Sequence, residues 1–247
     1  GHYVDDEQDG LWSYFAKDGS VAEEITFSGG KRDGRSTVWL TPEEKQEEKF
    51  YKNGKLDGPS TFWENGYRST MTTYKSDSPE GPWVIWFSNS DQIKEQGFHQ
   101  KGIREGLTTY YYEDGTMQRE GFFKEGLPDG MWTYWNKKGE KDFDFDFGSG
   151  LQHISLEDLV ERESTFYKLG EDTPFTGIIT QENPEADYLF LGRTKGGKKD
   201  GQWVKWFPSG KDVPEIILVE VPDPEPVLPW SGGKQEQGGY KDGEKHG

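Results

Sequence analysis

The chain has 247 residues, a formal net charge of −17 and no cysteine, and apolar residues make up only 30% of it, half of them aromatic. No disulfide framework, cysteine-based zinc site or thiol nucleophile is open to it, and a field this negative repels nucleic-acid phosphates and anionic lipid headgroups. No apolar run approaches the roughly 18 residues of a membrane helix. Low hydrophobicity with high charge usually signals disorder, but disordered chains are poor in aromatics, and this one holds ten Trp, twelve Tyr and fifteen Phe. It is expected to fold, around an aromatic core.

An internal repeat organises the first 150 residues. Gly10, Gly34, Gly58, Gly81, Gly106 and Gly130 stand 24, 24, 23, 25 and 24 residues apart. Two residues after each comes Trp or a small hydroxyl residue: Trp12, Ser36, Ser60, Trp83, Thr108 and Trp132. Five residues after comes an aromatic: Phe15, Trp39, Trp63, Trp86, Tyr111 and Trp135. Turn signals follow at Asp18-Gly19, Asn65-Gly66, Asp114-Gly115 and Lys138-Gly139, then an acid near the fourteenth position (Glu24, Glu48, Glu95, Glu120, Asp144). An aromatic near the sixteenth or seventeenth comes next: Phe27, Phe50, Tyr74, Phe98, Phe123 and Phe147. The triplets Arg32-Asp33-Gly34, Leu56-Asp57-Gly58 and Pro128-Asp129-Gly130 read as a second turn closing each unit. Asp-Gly and Asn-Gly between short aromatic runs are strong hairpin signals. Each unit is therefore predicted to be two short strands, and the units together one antiparallel meander in which every hairpin leans on its neighbours. The fold class is all-β.

Beyond Gly150 the pattern breaks. Ser155-Leu156-Glu157-Asp158 looks like the start of a capping box, and a short linker helix is expected at 155–163 within a linker of 151–165. A second module is expected over 166–247, with Pro174-Phe175-Thr176-Gly177, then Gly201-Gln202-Trp203 24 residues on. An insertion at 212–235 carries the run Val221 to Pro229, whose prolines predict an extended loop.

The unit of Gly, Trp and paired aromatics before a turn glycine, best seen from Asp129 to Gly139, resembles the MORN-repeat variant of bacterial proteins of the YwqK type. Gly201 to Gly210 is a close second copy, and Leu159 to Arg162 leading to Pro174-Phe175-Thr176-Gly177 looks like that family's recurring linker and restart. The resemblance implies a hairpin-repeat fold and an antitoxin role, the binding and neutralising of a partner protein. The chain departs from the pattern where Thr41-Pro42-Glu43-Glu44-Lys45 replaces a turn glycine.

On a strand the fourth and fifth positions face opposite ways. An aromatic kept at the fifth in every unit reads as core. The fourth position varies (Tyr14, Val38, Phe62, Ile85, Tyr110, Tyr134, Lys205), as recognition of an irregular partner requires. Trp12, Tyr14, Phe62, Trp83, Tyr110, Trp132, Tyr134 and Trp203 are accordingly the candidate binding residues. Acids recurring once per unit lie about 9–10 Å apart, too far to share a metal ion. Asp142, Asp144 and Asp146 share a strand face but lack a loop supplying further oxygens, and read as a solvated face. The histidines, His2, His99, His153 and His246, suggest no triad, and no phosphate loop or dinucleotide fingerprint occurs. No enzyme, cofactor or metal is expected. The predicted function is a non-catalytic binding or scaffold module for a protein partner, a basic one given the charge. The alternative is a cell-surface carbohydrate- or choline-binding module with exposed aromatic cages. A bacterial envelope or secreted setting, with any leader removed before Gly1, is the expected location.

Overall fold

The computed structural model describes residues 1–183, 188–207, 238–241 and 244–246, so the insertion expected at 212–235 lies outside the described residues. The chain divides into two compact units, Gly1–Gly115 with Phe123–Gly126, and Thr116–Phe122 with Leu127–Gly247. Among the described residues no helix is long and apolar enough to cross a membrane.

The first unit holds β1 (His2–Val4), β2 (Glu7–Phe15), β3 (Val21–Ser28), β4 (Lys31–Trp39), β5 (Lys45–Lys52), β6 (Lys55–Glu64), β7 (Tyr67–Lys75), β8 (Ser78–Trp86), β9 (Ile93–Gln100), the two-residue β10 (Ile103–Arg104) and β11 (Gly106–Tyr111). Neighbours are hydrogen-bonded in chain order from β1 to β9 and then β11, with β10 paired to β9 off that path. This is the predicted antiparallel meander of hairpins. The strand β12 (Met117–Lys124) runs through the division between the units.

Tight two-residue turns close one hairpin of each repeat. Gly29-Gly30, Asn53-Gly54, Ser76-Asp77 and Lys101-Gly102 are tight, with both φ angles positive, as type I′ hairpins require. The triplets read as closing turns are not turns. Asp33-Gly34 and Asp57-Gly58 lie inside β4 and β6, and Asp129-Gly130 inside β13 (Leu127–Trp135). There the register jumps: Lys49 pairs with Ser60 but Tyr51 with Leu56, and the same slip recurs between β3 and β4 and between β7 and β8. The repeat glycine marks a β-bulge, where extra residues on one strand demand unusual backbone angles. At Gly58, φ is +131° and a Cβ would stand 2.8 Å from Cβ of Phe50. Only glycine fits.

The acid before that glycine has its own task. Asp33 accepts the N–H of Asn53 at 3.0 Å, Glu80 that of Lys101 at 2.7 Å, and Glu105 that of Glu125 at 2.9 Å. Beside it the chain's carbonyls do likewise: Gly54 N–H donates to Arg32, and Gly102 N–H to Pro79. Each hairpin turn is thus tied to the bulge of the preceding repeat. An Asp-Gly that resembles a turn in sequence is the anchor for the next one.

The second unit contains β13, β14 (Lys141–Asp146), β15 (His153–Ser155), β16 (Leu159–Arg162), β17 (Thr165–Lys168), β18 (Gly177–Asn183), β19 (Tyr188–Lys195), β20 (Lys198–Trp206), β21 (Gly238–Lys241) and β22 (Glu244–His246). The helix expected at 155–163 is a single 3-10 turn, Leu156–Asp158, after which the chain is extended again. Ser155 makes no side-chain cap bond. Val160 and Arg162 instead pair with Tyr167 and Thr165 in a β16–β17 hairpin, so strand pairing takes the apolar residues that had suggested a helix face. The sheet order is β15-β18-β19-β20-β21-β22, with β15 parallel to β18. On one face Ile179, Phe190 and Trp203 pack with Phe166 and Phe175. Alternate residues Leu191, Val204 and Trp206 face the other way, also buried. Trp206 there meets Tyr134 (5.2 Å) and Phe143 (6.0 Å), which stack on each other at 4.4 Å.

Candidate functional site

Nine strands of the first unit place three rows of residues in continuous register. Tyr14, Glu23, Val38, Glu47, Phe62, Thr70, Ile85, Glu95 and Tyr110 lie directly opposite one another in succession. None of the nine is buried. Two residues along each strand, hence on the same face, runs the row from Trp12 through Ile25, Ser36, Lys49, Ser60 and Thr72 to Trp83 and Gly97. Ile25, Ser36, Ser60 and Trp83 of that row are buried. The intervening row, Ser13, Glu24, Thr37, Glu48, Thr61, Met71, Val84, Gln96 and Thr109, belongs to the opposite face.

The eight predicted binding residues therefore separate. Tyr14 (40% exposed) and Phe62 (37%) are open, and Trp12 and Tyr110 are half-buried. Trp83, Trp132, Tyr134 and Trp203 are core: none is more than 8% exposed. The reason is visible in the packing. The ring of Trp132 lies over Gly121 and that of Trp203 over Gly192, each filling the space of a missing side chain. Their indole N–H groups donate to the carbonyls of Phe122 (3.1 Å) and Arg193 (2.9 Å). The second position after the repeat glycine is thus a core position at Trp83, Trp132 and Trp203, though not at Trp12, which corrects the assignment of these three to an outer strip. The fifth position is only partly core: Trp86 and Trp206 are buried, Trp39, Trp63, Tyr111 and Trp135 half-buried, and Phe15 is 65% exposed.

The late aromatic of each repeat also divides. Phe27, Tyr51, Tyr74 and His99 stand opposite the repeat glycines Gly10, Gly34, Gly58 and Gly81. Phe50 and Phe98, one residue earlier, point to the other face, where Phe98 is 51% exposed beside exposed Pro82. Leu11 and Leu107 are exposed on that same face. The 23- and 25-residue intervals move the inner position to Tyr74 and His99, and one residue reverses the face, while Phe50 stands one place before the inner Tyr51 in an ordinary 24-residue interval. Counting back seven residues from the next glycine finds the inner ladder. The same parity separates the acids: Glu24 and Glu48 share a face with each other but not with Glu95.

Charges sit within the exposed row. Lys49 Nζ is 2.8 Å from Glu47 and 5.0 Å above the Phe62 ring. Arg104 pairs with Glu95 at 3.3 Å, donates to the Tyr110 hydroxyl at 2.9 Å and lies 4.5 Å from the Trp83 ring. On the opposite face Lys45 covers Trp63 and Arg68 covers Trp86. Burial, with the Arg104 charge, holds the His99 imidazole below its usual range. In the second unit the aspartates of the Asp-Phe-Asp-Phe-Asp run are engaged in structure: Asp142 accepts from Trp206 Nε1 at 2.8 Å, Asp144 from Thr133 Oγ1 at 2.8 Å, and Asp146 from Gly148 N–H at 2.9 Å. Burial pushes the Asp142 carboxyl up. Among the described residues no group of three His, Asp or Glu could hold a metal ion.

No curated protein matches the chain. The family model for the MORN repeat variant matches residues 104–125, from the bulge of one repeat to the turn of the next, and MORN repeats are associated with binding and scaffold roles rather than catalysis.

Proposed function

We propose that this protein is a non-catalytic protein-binding module whose contact surface is the row from Tyr14 to Tyr110. The observation that carries this reading is the contrast within one face: half of the row beside it is buried, at Ile25, Ser36, Ser60 and Trp83, while none of the nine residues of this row is. Tyr and Phe at intervals supply rigid anchors of the kind that dominate interfaces. Glu23 within the row favours a basic partner, and the net charge of −17 steers one towards the surface. An antitoxin role of the YwqK kind is one form of this reading, since toxins that act on nucleic acids are basic. Carbohydrate or choline binding is less well supported. The ring faces a quaternary ammonium would use at Trp63, Phe62, Trp83 and Trp86 already carry the chain's own Lys or Arg.

The test compares the chain with two variants as baits in an extract of its own organism. One carries Tyr14→Ser, Phe62→Ser and Tyr110→Ser; the other, on the opposite face, Phe98→Ser and Leu107→Ser. A protein retained by the wild type and the second variant, lost by the first, and released as salt rises is the expected result. Equal retention by all three sinks the proposal.

A further inference from the structure

Tyr14, Val38, Phe62, Ile85 and Tyr110 recur on every second strand, so successive members are about 9.4–9.8 Å apart. Few chain conformations share that period. A polyproline II helix rises about 3.1 Å per residue with three residues per turn, so every third side chain returns to one edge after about 9.3 Å. Over four intervals it drifts from the row by about 0.4–2 Å. An α-helix needs seven residues and about 10.5 Å to return, and slips by about 3–4 Å over the same distance. An extended strand turns its third residue to the opposite side.

Acids fill three of the four places between these residues, Thr70 taking the fourth, between Phe62 and Ile85. Glu47, between Val38 and Phe62, holds Lys49 beside the Phe62 ring, and Glu95, between Ile85 and Tyr110, holds Arg104 beside the Tyr110 hydroxyl. Glu23 has the equivalent place between Tyr14 and Val38. The residue 24 positions before Lys49 is Ile25, which is buried, and among the described residues no cation pairs with Glu23. Two of these places are filled by the chain's own cations and one is open.

We infer that the row receives a basic, proline-rich segment of the partner in the polyproline II conformation. The segment lies across the strands, sets every third residue against the apolar members of the row, and places an Arg or Lys on Glu23. Aromatic-lined surfaces suit such a segment because it loses little conformational entropy on docking. The inference rests on the proposal that this face is the partner-binding one.

The experiment uses the full chain and a fluorescein-labelled peptide of five Leu-Pro-Arg triplets, with binding read by anisotropy. The control has the same composition in an order that breaks the three-residue period. The periodic peptide is expected to bind about tenfold more tightly than the shuffled one, a difference of about 1.4 kcal/mol. Glu23→Gln should weaken it about threefold to fivefold. Glu24→Gln, the same change on the opposite face, should leave it unaltered. Equal binding of the two peptides, binding of neither, or equal effects of the two substitutions overturns the inference. If the Tyr14, Phe62 and Tyr110 triple variant still loses the extract partner in that event, the binding face stands and only its occupant was misread. If the triple variant keeps that partner, the face itself was misassigned.

Discussion

Trp83 and Phe15 both belong to the aromatic positions of the repeat, yet they carry unequal weight. Trp83 is 3% exposed, lies 5.6 Å from the His99 ring and is covered by Arg104. Phe15, five residues after its glycine, is 65% exposed. Trp83→Ala removes a large buried ring from a thin sheet that has little with which to refill the space, and should cost about 3–5 kcal/mol. Phe15→Ala should stay within about 0.5 kcal/mol. Urea unfolding followed by circular dichroism measures both, and similar losses would refute the assignment of core to the second position. Trp83 differs from Trp132 and Trp203 in one respect: its indole nitrogen is buried without an acceptor. Trp83→Phe should therefore be much milder than Trp83→Ala, since it discards an unsatisfied donor along with some contact area.

At the level of the hairpin, the bulge glycine and the acid before it form a joint between consecutive repeats. The recurrence of the glycine was plain in the sequence; its role was not. Asp-Gly satisfies the local preferences of a turn, and only the pairing of Lys49 with Ser60 and of Tyr51 with Leu56 reveals a bulge. Gly58→Ala brings a Cβ to 2.8 Å from Phe50 at a φ of +131°, and should destabilise by about 1–3 kcal/mol. Gly130 offers a comparison, with φ +64° and nothing within 4 Å of the added carbon. Gly130→Ala should cost less than Gly58→Ala, and the reverse order in urea unfolding would count against close approach as the reason for the glycine.

Across the molecule the two units bury residues in different ways. The sheet of the first unit buries the small residues Ser36, Ser60 and Thr108 beside a few large ones, Ile25, Trp83 and Trp86, while the sheet of the second buries aliphatic and aromatic residues on both faces. One consequence is a pH dependence lodged in the second unit. His153 stacks on Phe147 with ring centroids 5.5 Å apart, and burial holds its imidazole below the usual range. The folded state then binds the proton less readily than the unfolded chain. The full stability is present above about pH 6.5, the ordinary histidine value, and is lost as pH falls through the lowered folded value. Asp142, raised by burial, acts in the opposite sense and lower on the scale, taking its proton in the folded state first. The unfolding midpoint should be lower at about pH 5.5 than at about pH 7.5 in the wild type, and the difference should shrink in His153→Gln, the remainder belonging to His99 of the first unit. An unchanged difference would assign the effect elsewhere.

The sequence by itself determined the class of fold, the hairpin period and the aromatic character of the core. These follow from local chemistry: turn residues suited to positive φ, and rings recurring every 23 to 25 residues between them. It did not determine which face each ring occupies, because an insertion or deletion of one residue between glycines reverses a strand's faces without disturbing the repeat. Phe98 and His99 exchange roles on that account. Nor did it determine the fate of residues 155–163, whose apolar spacing suits a helix but whose partners at Thr165–Lys168 draw them into a hairpin. The row from Tyr14 to Tyr110 likewise came only from the tertiary structure. Its members are scattered over 97 positions of sequence, and cross-strand register alone brings Glu23, Glu47 and Glu95 between its apolar residues.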